Sequence, residues 1–436
     1  MKRKDKRIVR GIGWKTSPVL LCWVISVFCW SCKDDAGSGT QYDPGAPVKV
    51  TQIAPATGGI ALPVVVSGQN FGTDKSKVKL FFDEKEAVII TAQNEHLYAV
   101  VPKLSGGEHQ VRVVVDGQNE GVLQSQKFDY IVASSVTTVG GSGVRGVLDG
   151  PALEAKLYKP TFVDIDDKDN IIVIDYDDRI ALLSLEASML TTLLEGSYIY
   201  CGSFTEDFSY YYAGIYSTSQ TRLGYEFFRD GNWAQGLVMN TDGLFDDKVT
   251  AVQMDGNDHL YVAGENNRKV ARVVRKTGKI EVLGELPFSE GTTYGMAYNP
   301  VDGFMYVSSD AEHCIIRFDT RKSVLTPDDF EIYAGRQGVT GFYNGLRGEA
   351  TFNGPWGMDF DDEGNLYIAD AGNHAIRKID KEGMVTTFAG GNGGGYKDGV
   401  VETSQFNNPT DVTLSVDGLV YVADRGNYRI RCIAVQ

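Results

Sequence analysis

Beyond residue 46, apolar positions come in short alternating runs closed by Gly, Asn, Asp and Pro, the pattern of β-strands rather than helices. Between 47 and 131 the runs fall at 48–53, 62–66, 78–82, 87–90, 98–101, 110–115 and 127–131. About seven short strands in this length predict a small β-sandwich. From 132 to 436 a longer unit repeats. A strand opens near Pro or Gly and ends in an acidic turn; a second reads like Leu366-Tyr367-Ile368-Ala369-Asp370; a polar turn follows, and a third strand carries an Arg. Copies centre on Ile172, Tyr261, Tyr306, Tyr367 and Tyr421, and the double gap between the first two predicts a degenerate sixth around residues 210–216. Repeats of this length stack their faces against one another.

One passage occurs twice. Thr137-Thr138-Val139-Gly140-Gly141 leads through Asp149-Gly150 and Glu154 to Leu157, Pro160-Thr161 and Val163. Thr386-Thr387-Phe388-Ala389-Gly390-Gly391 leads through Asp398-Gly399 and Glu402 to Phe406, Pro409-Thr410 and Val412. The last unit ends at Arg431-Cys432-Ile433-Ala434 without an outer strand. Residues 136–139 are the matching segment, and supplying that strand from the other end of the domain would close a ring and remove an exposed edge.

In the first segment, Ile53-Ala54-Pro55, Val66-Ser67-Gly68-Gln69-Asn70-Phe71-Gly72, Val100-Val101-Pro102, Gly106-Gly107 and Phe128-Asp129-Tyr130 resemble the IPT/TIG family of immunoglobulin-like domains. That resemblance implies a spacer. In the second, Asp370-Ala371-Gly372-Asn373-His374-Ala375-Ile376-Arg377 and Asp424-Arg425-Gly426-Asn427-Tyr428-Arg429-Ile430-Arg431 resemble the NHL family of β-propellers. The expected fold is therefore all-β: an IPT/TIG immunoglobulin-like sandwich over 47–131, then a six-bladed NHL-type β-propeller over 132–436.

The first residues are of another kind. Lys2, Arg3, Lys4, Lys6, Arg7 and Arg10 precede an apolar run over 19–30, too short to span a bilayer, and then Ser31-Cys32. Residues 1–31 read as a signal peptide. The boundary resembles a bacterial lipoprotein signal with Cys32 lipidated, although Cys29 and Trp30 stand where such signals carry Leu and a small residue; ordinary cleavage near Ser31 is the alternative. Lys33-Asp34-Asp35 looks like the acidic surface-export signal of Bacteroidetes lipoproteins, and 32–46 reads as a flexible tether. The expected location is the outer membrane, lipid-anchored and facing outward.

Removing residues 1–31 leaves 35 basic and 56 acidic side chains, a net charge of −21. Nucleic acid is thereby excluded as an expected partner, since phosphate binding needs clustered Lys and Arg. With Cys32 committed to lipid, Cys201, Cys314 and Cys432 remain, odd in number and dispersed; they read as buried thiols.

Most motifs reduce to repeat geometry. Gly141-Ser142-Gly143-Val144-Arg145-Gly146 matches a dinucleotide fingerprint in letters but recurs as an interblade loop at 391–395. Residues 164–170 lack the ligand spacing of an EF-hand and align with the hairpin turn of other blades. His259, His313 and His374 invite a zinc reading, yet two of them occupy one repeat position. An acid seven residues before an Arg recurs at Glu265/Arg272, Asp310/Arg317, Asp370/Arg377 and Asp424/Arg431, the pattern of intra-blade ion pairs. No catalytic residue, metal site or cofactor is expected, and the chain reads as a non-enzyme.

Aromatic residues carry the functional signal. Beyond residue 31 the only tryptophans are Trp233 and Trp356. Trp356 opens an inner strand where other blades place Tyr294, Thr161, Thr250 and Thr410, and a long loop with Phe342-Tyr343-Asn344 precedes it. Flat rings beside polar groups suit sugars, whose C–H faces stack while hydroxyls hydrogen-bond. Trp356, Tyr294, Tyr343 and Trp233 are the candidate ligand-binding residues; the tyrosines within strands belong to the core. The layout resembles outer-membrane nutrient-capture proteins, which implies a carbohydrate ligand beside a transporter. The alternatives are a protein-interaction platform using the 336–352 loop and a metal-dependent lyase or hydrolase.

Overall fold

The computed structural model describes residues 42–434 apart from 60–61, 103, 105, 118, 132–133, 177–178, 196–198, 216–221, 236–238, 241–248, 290–291 and 293. The expected signal peptide, Cys32 and the expected tether as far as residue 41 lie outside the described residues. The chain divides into two compact units between Tyr130 and Ile131. Both are built of strands, and no α-helix occurs among the described residues.

The first unit is a sandwich. One seven-stranded sheet is built from the strands Lys49–Ala54, Pro63–Gln69, Val78–Phe82, Lys85–Gln93, His96–Val100, Val111–Val115 and Asn119–Val122. Thr57–Gly58, Gly107–His109 and Phe128–Tyr130 form a three-stranded sheet. Phe71, Phe82 and Phe128 are fully buried in its core, the last two edge-to-face at 5.1 Å. Part of the expected tether belongs to this unit. Asn70, in the left-handed region at φ 66°, donates through its carboxamide to the carbonyls of Asp43 and Ala46 at 2.9 and 2.8 Å and accepts the Asp43 N–H. A turn-forming Asn with its amide free to bond thus fixes residues 42–46, which composition alone assigns to a free leash.

The second unit is a ring of six blades. The inner strands are Pro160–Ile165, Ile199–Phe204, Val249–Met254, Tyr294–Asn299, Pro355–Phe360 and Pro409–Leu414, each packed beside the next, with the sixth against the first. Blade two is the irregular one: its outer edge consists of two dipeptide strands, Ala234–Gln235 and Met239–Asn240. Second strands such as Leu366–Asp370 and Val420–Asp424 are buried at every position. Both faces of a blade are covered by neighbours, so the strand reads as a continuous apolar run. Tyr306 shows the packing, edge-to-face with Tyr333 at 4.7 Å within its own blade and with Phe360 of the next at 4.8 Å.

Ring closure follows the duplicated passage. Ser135–Gly140 pairs antiparallel with Arg429–Ala434, placing Val136 against Ile433 and Thr137 against Cys432. The rest of the passage is a strap along a blade's outer edge: Gly150–Pro151 pairs with Met189–Glu195, Gly345–Leu346 with Met384–Gly390, and Gly399–Val400 with Ser135–Gly140. A fully buried arginine ties each strap down. Arg179 bonds Asp149 and the Lys156 carbonyl; Arg377 bonds Asn344 and the carbonyls of Tyr343 and Thr351; Arg431 bonds Asp398 and the carbonyls of Lys397 and Gln405. Each also faces a buried aspartate: Asp175, Asp370 at 2.8 Å and Asp424 at 2.7 Å.

The acid–Arg spacing therefore marks ion pairs in two of its four places. In blades three and four the second strand ends in Gly264 or Ser309 rather than Asp, and the arginine sits one position later in the third strand. A one-residue shift turns a strand side chain to the opposite face. Arg272 and Arg317 accordingly pair with Glu281 and Glu331 on the more exposed side.

Two outcomes are expected. Deleting residues 136–139 should abolish the propeller's cooperative thermal transition, and an unchanged melting temperature would refute this closure. Replacing Arg431 by Leu strands the Asp424 carboxylate and should cost about 3–5 kcal/mol of unfolding free energy, against less than about 1 kcal/mol for Arg272→Leu; urea titrations of both variants compare the two.

Candidate functional site

The six inner strands deliver one residue each to a common point. These are Thr161, Tyr200, Thr250, Tyr294, Trp356 and Thr410, of which Tyr294 stands by strand pairing at the position of Pro355 rather than of Trp356, and with Asp411 they line a narrow cavity at one mouth of the central channel. The local backbone explains their convergence. In five blades the ladder carries a bulge here, between Pro160 and Phe162, Ile199 and Cys201, Val249 and Ala251, Pro355 and Met358, and Pro409 and Asp411. A bulge re-aims the residue it inserts. Blade four pairs without one, and there the Tyr294 ring turns into the protein, 1% exposed and stacked on Phe288 at 5.7 Å.

Trp356 remains half-buried at the mouth, with the Arg425 guanidinium 5.8 Å from its ring centre. Its carbonyl accepts from the Ser308 hydroxyl, and Gly357 after it packs so close to Asp411 that a Cβ would lie 1.6 Å from Oδ1. The Tyr294 hydroxyl and Thr250 Oγ1 are buried and have no hydrogen-bond partner among the described residues. Across the mouth, Tyr200 lies edge-to-face with Tyr176 at 5.4 Å, and the Lys159 ammonium sits 5.5 Å from the centres of both the Tyr158 and Tyr176 rings. The cavity holds little more than a water-sized space, so a ligand would rest across the mouth rather than thread the channel.

Below the mouth three carboxyls line the channel. Asp411 accepts the Val163 N–H of blade one at 2.9 Å, Asp164 the Phe204 N–H of blade two at 3.1 Å, and Asp359 the Leu414 N–H of blade six at 2.9 Å. The Thr413 hydroxyl lies 3.4 Å from Asp164 and 3.5 Å from Asp359. Ser203 plays the same part between blades two and three, accepting the Met254 N–H. Burial pushes Asp164 up to about 8, aided by the charge of Asp359; burial also lifts Asp359 to about 6 and raises Asp411 well above the carboxylate range. Sequence reading assigned Asp164, with residues 164–170, to a hairpin turn, whereas it and Asp359 lie in inner strands and only the residues after them form the turn; a carboxylate at a lumen-facing inner-strand position was the available signal.

Of the four candidate residues, the structure brings Trp356 and Tyr294 to one cavity and leaves Tyr343 and Trp233 out of its lining. Tyr294 lines it with its ring stacked on Phe288 in the core. Tyr343 is 60% exposed on the strap of blade five, which runs beside that blade's outermost strand rather than over the mouth. Trp233 packs at 6.1 Å against Phe204 in the core of blade two. Arg425 was overlooked as one residue of a turn.

The remaining motifs have structural work. Asp166 and Asp361 each accept two backbone N–H groups within their own hairpin turns and bond the Asn that closes it. His313 and His374 adopt φ near 54°, and through Nδ1 they accept the N–H of Gly354 and Asn408 in the following blade, at 3.0 and 2.9 Å. His259 bonds Asp255 of its own turn. Among the described residues no three His, Cys, Asp or Glu side chains gather as metal ligands. Cys201, Cys314 and Cys432 are buried free thiols.

Comparison with known proteins agrees with this architecture. Residues 47–130 match the IPT/TIG domain, 239–396 the teneurin NHL domain and 406–433 the NHL repeat. The chain joins an IPT/TIG domain to an NHL-repeat propeller. NHL repeat-containing protein 2 of Bos taurus is 39% identical over 71 residues, 16% of this chain and 10% of that protein. The chain spans about a tenth of the length of the curated relatives it matches first. A crystal structure of a protein of unknown function from Bacteroides thetaiotaomicron is 28% identical, with a TM-score of 0.67, covering 91% of this chain and 100% of that one. An auxiliary nutrient binding protein from Bacteroides ovatus shares the fold at 24% identity and a TM-score of 0.64, covering 91% and 99%.

The channel acids set a pH dependence. A carboxyl whose value is raised on folding contributes its full stability below the unfolded value of about 4 and loses it as pH rises towards the folded value. For Asp164 that window runs from about 4 to about 8, at roughly 1 kcal/mol per pH unit. Asp164→Asn, which stays neutral, should gain on the native protein between pH 5 and pH 8 in urea titrations. Parallel pH profiles would show that Asp164 is charged in the folded state.

Proposed function

We propose that this chain is a non-catalytic, lipid-anchored cell-surface protein that binds a polysaccharide or oligosaccharide for an outer-membrane nutrient-uptake system. The observation that carries the reading is the channel mouth: a half-buried Trp356 ring beside the unpartnered hydroxyls of Tyr294 and Thr250. A flat indole offers a stacking shelf for a pyranose face, and buried hydroxyls without partners gain most from a ligand that hydrogen-bonds to them. The name of the Bacteroides ovatus neighbour, an auxiliary nutrient binding protein, supports the same direction. On this reading the lipid on Cys32 holds the chain to the outer membrane, the IPT/TIG domain is a spacer, and a transporter takes up what the propeller retains.

A second reading has its own observation. On the strap of blade five, Phe342, Tyr343 and Leu346 are 46%, 60% and 52% exposed. Such a row favours a protein partner on the blade's edge.

The two readings separate in affinity gels. Trp356→Ala should weaken retention by a bound glycan at least about tenfold, the loss expected when a buried aromatic contact worth about 1.4 kcal/mol goes. Retention unchanged in Trp356→Ala removes this residue from the site. Binding that survives that substitution and fails when residues 336–352 are shortened identifies the strap instead.

A further inference from the structure

Most buried and half-buried arginines of the propeller face acids: Arg179 with Asp149, Arg229 with Asp167, Arg272 with Glu281, Arg275 with Asp258, Arg317 with Glu331, Arg377 with Asp370 and Arg431 with Asp424. Arg347 and Arg429 rest on the Tyr333 and Tyr396 rings instead. Arg425 has no acid partner among the described residues and makes no side-chain hydrogen bond there; its Nε is buried without a partner. It lies over Trp356. The Lys159 ammonium rests between Tyr158 and Tyr176, one residue before the inner strand of blade one. Blades six and one are neighbours, so both cations belong to one side of the mouth. On the other side charges of both signs act on Tyr294, Arg268 first and then Glu265, Asp310 and Glu312.

What sets Arg425 apart from Arg347 and Arg429, which rest on tyrosine rings, is that it lies over the half-buried tryptophan of the cavity with no acid partner among the described residues. Resting on the glycan reading above, we infer that the ligand is an acidic saccharide. Its anionic group, a carboxylate or a sulfate, meets the Arg425 guanidinium while its sugar face lies on Trp356. Guanidinium nitrogens bind a planar carboxylate or a sulfate edge through paired hydrogen bonds, and such bonds are about twice as strong as neutral ones. The overall negative charge does not oppose this, because exposed charges beyond about 8 Å are screened at physiological ionic strength and the local cations decide. Neutral hydroxyls of the sugar then fall to Tyr294 and Thr250.

The test uses the mature protein in gels containing polygalacturonate, alginate, hyaluronan or chondroitin sulfate, beside methyl-esterified polygalacturonate, desulfated chondroitin and neutral galactan and xylan. Retention by an acidic polymer is expected, and the retaining group is identified by what abolishes it: esterification for a carboxylate, desulfation for a sulfate. Arg425→Gln should weaken that retention by roughly tenfold or more without changing the melting temperature, and Lys159→Gln by less, in line with charge-assisted bonding at each. Retention by neutral galactan or xylan that Arg425→Gln leaves intact overturns the acidic ligand and keeps the glycan reading. Acidic polymers held equally by the native protein and the Arg425→Gln/Lys159→Gln double variant place binding elsewhere and overturn the inference. Retention by no polymer, with the protein folded, overturns both readings.

Discussion

A propeller blade has two apolar faces and an exposed outer edge, and it can bury neither face alone. Everything in the second unit follows from solving that at the last blade, where Pro409–Leu414, Val420–Asp424 and Arg429–Ala434 supply three strands. Ser135–Gly140 supplies the fourth from the other end of the domain, so the ring is held by backbone hydrogen bonds between its first and last segments. Only a closed ring brings six inner strands to one axis, and only at the axis do Trp356, Tyr294 and Thr250 become neighbours. The site is a property of closure before it is a property of any residue.

Inner strands packed side by side around an axis leave backbone N–H groups facing the lumen without ladder partners. The channel acids answer this: Asp411, Asp164 and Asp359 each reach to the next blade and accept one. A carboxyl accepts strongly but is costly to bury charged, and burial with mutual repulsion drives these three towards the protonated form. The same choice recurs with opposite sign at the straps, where arginine supplies donors to several carbonyls at once and an aspartate balances its charge. Polar groups therefore set which blade sits against which, while apolar packing supplies the bulk of the burial.

Much of this was legible in the sequence because repeats expose their own logic. The duplicated passage disclosed closure, and the gap between Ile172 and Tyr261 disclosed a hidden blade. What stayed illegible depended on register or on the third dimension. Glu265/Arg272 and Asp310/Arg317 copy the spacing of true pairs, yet a shift of one residue puts their arginines on the other face. The loop with Tyr343 looked like a mouth loop by its length, and only strand pairing shows it running along an outer edge. Tyr294 aligns with Trp356 in sequence, but blade four lacks the bulge that turns such a residue outward. Arg425 was hidden by the resemblance itself, because a turn position shared among blades draws no attention to which residue fills it.

That last point bears on how a symmetric scaffold acquires a site. Each blade offers one position to the mouth, and the occupants in ring order are Thr161, Tyr200, Thr250, Tyr294, Trp356 and Thr410. Three threonines leave the opening unobstructed, Tyr200 packs edge-to-face with Tyr176, Tyr294 withdraws its ring into the core, and one tryptophan stands in the mouth. The turn after each second strand adds a second tier, in which Arg425 is the cation among Tyr176, Glu265, Asp310 and Ala371. Bulk and charge are thus set independently, by different positions of the same repeat, on a backbone that changes little from blade to blade. The asymmetry of the two tiers coincides on blades five and six, where Trp356 and Arg425 meet. A purely structural ring would have no need of that coincidence, since the other four blades close without it.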